Sequence, residues 1–174
     1  AFLGGIAENF NSNLVLHGNE YTVAEADEFD RSFLRLSPNI ACITSMDADH
    51  LDIYGDEQHL IEGFHQFAGK IKEGGSLIVR NGLAIAGETF GLEDDSDYSF
   101  QHIRIVDGVY HFDFKYKGGI YKDYTFLKPG RHNLLNALAA AVIPAMPSVW
   151  KASDRADFGE EAAIKASETL ERTV

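Results

Sequence analysis

"NIACITSMDADHLDIYGDEQHLIEGFHQFAGKIKEGGSLIVR", residues 39–80, is the stretch on which the fold turns. Its first apolar run, Ile40 to Ile43, shows no polar alternation, the pattern of a strand covered on both faces. After Asp56, the residues Leu60, Ile61, Phe64, Phe67 and Ile71 recur at helical spacing. They mark an amphipathic helix for which Asp56 is the N-cap. Gly74-Gly75 ends that helix, and "SLIVR" follows as a second strand closed by Asn81-Gly82. Strand, helix and strand in this order predict an α/β fold, a mostly parallel sheet flanked by helices.

Working outward, "EYTVAEAD" at residues 20–27 reads as another strand, joined to the first by the short helical or irregular "RSFLRLSP" that Pro38 ends. Downstream, "FQHIRIVDGVYHFDFKYKGGIYKDYTFLKPG" at residues 100–130 alternates with period two. Asp107-Gly108 and Gly118-Gly119 stand where tight hairpin turns belong. The expectation is a small three-stranded antiparallel meander over residues 98–128, either an insertion or a flanking sheet. Tyr110, Phe112, Phe114 and Tyr116 would share one face, with His111 and Asp113 as exposed decoration on the other. "RHNLLNALAAAVI" after Pro129-Gly130 is a helix. Residues 144–174 enter through a Pro-rich stretch, and their last part reads as a surface helix.

Composition excludes several classes of function. The chain has 174 residues, 45% of them hydrophobic, and a formal net charge of −12. A nucleic-acid binder needs a basic face, so no nucleic-acid partner is expected. No apolar run approaches the roughly 18 residues of a membrane helix, so no membrane partner is expected either. The start "AFLGGIAENF" has no basic n-region of a signal peptide. The single cysteine, Cys42, excludes an internal disulfide and reads as a small buried hydrophobe. A cytoplasmic protein is expected. No Gly-x-Ser-x-Gly elbow is present, and the seven histidines lack zinc-ligand spacing. His17, His59, His65 and His102 read as surface or packing residues.

Each early apolar run ends in a knot of carboxylates. Glu25 and Asp27 close the first, while Asp47, Asp49 and His50 close the second. Ligands of open parallel sheets bind at the carboxyl ends of the strands. Spacing alone leaves two readings open. One is a pair of loops full of caps and turn formers. The other is a crevice in which Glu25 and His50 hold partly hydrated Mg²⁺ ions bound to a polyphosphate.

At this point the residues carry a resemblance. "EADEFDRSFLRLSPNIACITSMDADHLDIYGD" resembles the central, ATP-binding region of the Mur ligase family, and "FLGGIAENFNSNLVLHGNEYTVAEADE" is similar to its approach to the first knot. "PGRHNLLNALAAA" resembles the family's Arg-His-Asn-x-x-Asn-Ala helix. Three motifs in order span roughly residues 2 to 143. Within the family the alanine-adding branch is nearest. Branches adding later residues, and the folate polyglutamylating enzymes, carry a carbamylated lysine where this chain has Phe64.

The resemblance implies a parent enzyme that joins L-alanine to UDP-N-acetylmuramate using ATP and Mg²⁺. It implies catalytic, metal-holding roles for Glu25, at the Mg²⁺ shared with the ATP β- and γ-phosphates, and for His50, at a second Mg²⁺. It places Asn133 and Asn136 near the adenine ring, with His132 beside them. Their bare residue pattern reads equally as helix capping by Asn133 and surface polarity at Asn136. Two other functions stay open: a tripeptide-recycling ligase of the same family, and a non-catalytic acidic metal-binding or interaction domain.

The chain contains no Gly-Lys-Ser/Thr phosphate loop; Gly69-Lys70 is followed by Ile71. The resemblance places that loop, and the strand before it, upstream of Phe2. The expectation is therefore a partial central domain over residues 1–174, inactive alone, with residues 144–174 outside the family mapping.

Overall fold

The computed structural model describes residues 1–8, 10–16, 21–47 and 56–143. They fall into two compact units, one drawing on described residues of 1–37 and 56–70, the other on 38–47 and 71–143. Among the described residues no helix is long and apolar enough to cross a membrane. The C-terminal surface helix expected beyond residue 143 lies outside them.

In the first unit, β1 (Phe2–Ala7) pairs antiparallel with β2 (Ser12–Leu14). The strand expected over residues 20–27 is reduced to one parallel bridge between Ala24 and Phe2. The reason is local. Asp27 Oδ1 accepts the Phe29 N–H at 2.9 Å, and its carbonyl accepts from Ser32 Oγ at 3.0 Å and Phe33 N–H at 3.1 Å. Those bonds turn the chain into a 3-10 helix, Phe29–Arg35. Asp27 thus does turn work, as one reading of the first knot held.

Helix α1 (Glu57–Ala68) begins as expected, with the Asp56 side chain accepting the His59 N–H at 2.9 Å. That bond holds the Asp56 carboxyl below its usual range. Leu60 and Phe67 are buried, and the Phe33 ring packs against Phe67 at 5.1 Å and edge-on to Phe64 at 5.6 Å. Phe64 is therefore spent on apolar packing. The helix ends earlier than Gly74-Gly75. The Lys70 N–H turns back to Phe67 O at 2.9 Å, tightening the last turn, and Ile71 falls outside. Gly75 has another purpose: a Cβ there would lie 2.3 Å from Asn39 O.

The second unit is built on a six-stranded sheet in the order β3-β4-β5-β6-β7-β8. Strands β3 (Ile40–Ile43), β4 (Ser76–Arg80), β5 (Glu88–Leu92) and β6 (Tyr98–Val106) run parallel. Strands β7 (Val109–Tyr116) and β8 (Gly119–Phe126) complete an antiparallel meander with β6. The meander is thus not a separate sheet. It continues the parallel sheet through β5, a strand that sequence patterning did not disclose. Tyr110, Phe112, Phe114 and Tyr116 are all buried on one face, as alternation predicts. Helix α2 (Arg131–Val142) packs on β5 and β6, burying Leu134, Leu138 and Ala141 completely.

Asp113 corrects an expectation. It is buried, 8% exposed, and its carboxylate accepts the Asp123 N–H at 3.2 Å and meets His102 Nδ1 at 2.9 Å. The register shifts of both adjoining pairs fall around it, with His102 (φ 53°) and Asp123 (φ 67°) in the left-handed region. Such bulges re-aim a side chain and backbone. Here they turn partners toward a carboxylate that burial would otherwise leave unsatisfied.

Candidate nucleotide and metal site

Glu25 lies beside the first half of β1, one residue beyond the Ala24–Phe2 bridge. Its backbone N–H donates to Phe2 O at 2.9 Å, and its exposed carboxylate accepts the Gly4 N–H at Oε2, 2.8 Å away. The carboxylate is therefore oriented while Oε1 stays available. An exposed, ionised oxygen donor fits a hard cation such as Mg²⁺, which takes few protein ligands and keeps waters and phosphates. His50 and Asp49 lie outside the described residues. Asp47 is exposed and closes a local ring, accepting from Ser45 Oγ at 2.5 Å while donating its own N–H to that oxygen at 3.0 Å. Among the described residues, no group of three or more His, Cys, Asp or Glu side chains could hold a metal ion. The donor set on view is a single carboxylate.

The candidate adenine contacts belong to the other unit. At the start of α2 the N-cap is Gly130, at φ 100°, where a side chain would be strained and a Cβ would lie 2.8 Å from His132 Cε1. No side chain caps the helix; Asn133 instead donates its Nδ2 to Pro129 O at 2.6 Å. That bond ties the side chain to the turn ahead of the helix and satisfies none of its free N–H groups, so Asn133 is not a cap. It leaves Asn133 Oδ1 as a possible acceptor for a ligand. Asn136 is exposed one turn on, and His132 is exposed beside Gly130. The three lie on the open side of a helix whose other side buries Leu134, Ala137 and Leu138.

Two other polar groups are accounted for structurally. Glu93, Asp94 and Asp95 line an open cavity of about 500 Å³ with Asn81, Gln101 and His102. Asp94 accepts from Asn81 Nδ2 at 3.0 Å and from the Ser96 N–H at 3.1 Å, and Glu93 accepts the Ile103 N–H. These carboxylates tie a loop together. Cys42 is half-buried against the core, and burial pushes its thiol up to about 12, away from the thiolate form.

Sequence reasoning missed Gly4. The signal was present, a Gly-Gly pair directly ahead of the first knot, but nothing local shows which glycine faces a carboxylate 21 residues away.

Comparison with known proteins identifies the family. The Mur ligase middle domain matches residues 8–143. The UDP-N-acetylmuramate–L-alanine ligase of Christiangramia forsetii is 56% identical over 140 residues, covering 80% of this chain and 31% of that protein. The chain thus spans about a third of the length of the curated relatives it matches. Among solved structures, the UDP-N-acetylmuramate-alanine ligase MurC of Thermotoga maritima superposes with a TM-score of 0.74 at 25% identity, over 98% of this chain and 37% of that one. MurF of the same organism, in complex with ADP, shares the fold, with a TM-score of 0.54 at 15% identity over 72% of this chain and 34% of that one. With its middle-domain match running from the first knot through α2, the chain belongs to the Mur ligase family.

Proposed function

We propose that this chain is the central domain of an ATP-dependent, cytoplasmic ligase that joins L-alanine to UDP-N-acetylmuramate for peptidoglycan synthesis. The observation that carries the reading is the 56% identity, over 140 residues, to a ligase of that name. Phe64 supports it, since an apolar residue packed on Phe33 stands where the other branches place lysine.

In the proposed reaction the lactyl carboxylate attacks the γ-phosphorus of ATP, ADP leaves, and an acyl phosphate forms. The alanine amine then attacks the acyl carbon, loses a proton, and expels phosphate. Bound Mg²⁺ would supply the positive charge needed where a carboxylate meets a triphosphate. In this reading Glu25 presents an oriented oxygen to the cation at the β- and γ-phosphates, and His50 serves the second ion. Asn133 Oδ1 and the Asn136 amide meet the adenine edge, since an amide offers both donor and acceptor. His132 borders the same ring. On this reading Glu25 has its purpose: an anionic substrate pair needs cations, and a hard cation needs an oxygen ligand.

The test uses the full-length ligase. Phosphate release should require ATP, Mg²⁺, UDP-N-acetylmuramate and L-alanine together. Preference for the tripeptide L-alanyl-γ-D-glutamyl-meso-diaminopimelate over L-alanine would overturn the substrate assignment and favour a recycling ligase.

A further inference from the structure

The bridge between β1 and residues 23–25 follows the parallel pattern for one rung. The Phe2 N–H donates to Val23 O at 2.8 Å, and the Glu25 N–H donates to Phe2 O at 2.9 Å. One rung further, the Gly4 N–H would donate to the main-chain carbonyl of Glu25. It donates instead to that residue's own carboxylate, at 2.8 Å. The side chain has taken the place of its backbone as acceptor. The ladder stops there, and the carboxylate is held at the point where pairing ends.

Position 4 permits this because it carries no side chain. A Cβ on Gly4 would lie 3.1 Å from Glu25 Oε2 and 3.2 Å from both Cδ and Oε1. The next residue is a built-in contrast, because a Cβ on Gly5 would meet nothing within 4 Å.

Resting on the reading of Glu25 as a metal carboxylate, we infer that Gly4 is a positioning residue for that reaction. Its N–H makes a charge-assisted bond that fixes the carboxylate orientation and leaves Oε1 for the cation. Its missing side chain leaves the carboxylate room to adopt that orientation. Partners of this kind commonly change metal affinity 10- to 100-fold when lost.

The test measures Mn²⁺, as a paramagnetic substitute for Mg²⁺, binding to the full-length ligase with a non-hydrolysable ATP analogue. Wild type is compared with Gly4→Ala, Gly5→Ala and Glu25→Gln by electron paramagnetic resonance. Gly4→Ala should weaken Mn²⁺ binding about tenfold, the low end of the outer-partner range. It should raise the Mg²⁺ concentration for half-maximal activity by a similar factor and leave the KM for L-alanine unchanged. Gly5→Ala should match wild type. Wild-type affinity in Gly4→Ala, with affinity lost in Glu25→Gln, overturns the role of Gly4 alone. Wild-type affinity in Glu25→Gln overturns the reading of Glu25 itself. If Gly4→Ala does not fold, wild type labelled with ¹⁵N-glycine serves. The Gly4 amide resonance should move when Mg²⁺ and the analogue are added, and an unmoved resonance overturns the inference.

Discussion

Thr89 and Asp97 lock the parallel pair β5–β6 at its starting end. The Thr89 N–H and hydroxyl both donate to Asp97 Oδ2, at 2.8 and 2.9 Å, and the Asp97 N–H returns a bond to Thr89 Oγ1 at 3.1 Å. Parallel strands lack the short hairpin that sets register in an antiparallel pair. A reciprocal side-chain lock at the strand start is one way to specify it.

This lock has a pH signature. The Thr89 N–H holds the Asp97 carboxyl below its usual range, against the opposing effect of burial. A depressed folded-state value means the stabilisation is complete above the ordinary Asp value of about 3.9 and is lost as pH falls through the lower folded value. The stability gap between wild type and Asp97→Asn should therefore be widest near neutrality and shrink below about pH 4. Urea unfolding at pH 7, 5 and 3 measures it, and a gap constant across that range would contradict the linkage.

Gly91 is required by a neighbour. A Cβ there would lie 1.9 Å from Asp94 Oδ2, and Asp94 is itself held by Asn81 and Ser96. Gly91→Ala should destabilise the sheet unit by about 1–3 kcal/mol through overpacking. The clash is specific, so Gly91→Ala with Asp94→Ala should cost less than the two separate changes combined. Thermal melts of the four proteins in the cycle decide this.

Phe33 is the apolar centre of the first unit, 2% exposed between Phe64 and Phe67. Phe33→Ala should lower stability by about 3–5 kcal/mol, the usual cost of emptying an aromatic core site. Chemical denaturation followed by circular dichroism gives the value.

The two asparagines of α2 should separate in full-length kinetics. Asn136 is exposed, so Asn136→Ala should raise the KM for ATP about tenfold, roughly 1.4 kcal/mol, with no change in melting temperature. Asn133→Ala should raise that KM too, and also lower the melting temperature, because it removes the bond to Pro129 O. Unchanged KM values in both variants would assign the pair to helix structure alone.

The 174-residue chain on its own contains no Gly-Lys-Ser/Thr run. It should show no alanine-dependent ATP hydrolysis in a phosphate-release assay, because no phosphate cradle is present.

Much of the architecture was legible before any coordinates. The Asp56 cap, the stripe through Leu60, Phe64 and Phe67, the continuous run of β3, and the alternating aromatics of β7 are all written at short range. Each depends on a residue's own neighbours, through rotamer preference, capping bonds or strand alternation. The motifs of the two knots and of α2 were likewise local, and they carried the family. What escaped was the β1–β2 pair, the reduction of the expected 20–27 strand to a bridge, and β5, whose five residues, Glu88–Leu92, form no convincing period. The burial of Asp113 escaped as well, because alternation places it outward while the bulges around it supply partners.

The sequence by itself determined α1, α2, β3, β4 and the meander strands, and membership of the Mur ligase family. Tertiary structure alone decided that the meander extends the parallel sheet, that Asn133 binds back to Pro129, and that Gly4 holds Glu25. The physical reason is that local patterns register which way a side chain faces. Which donor meets which acceptor across 21 residues is settled only when the chain closes on itself and every backbone group must find a partner.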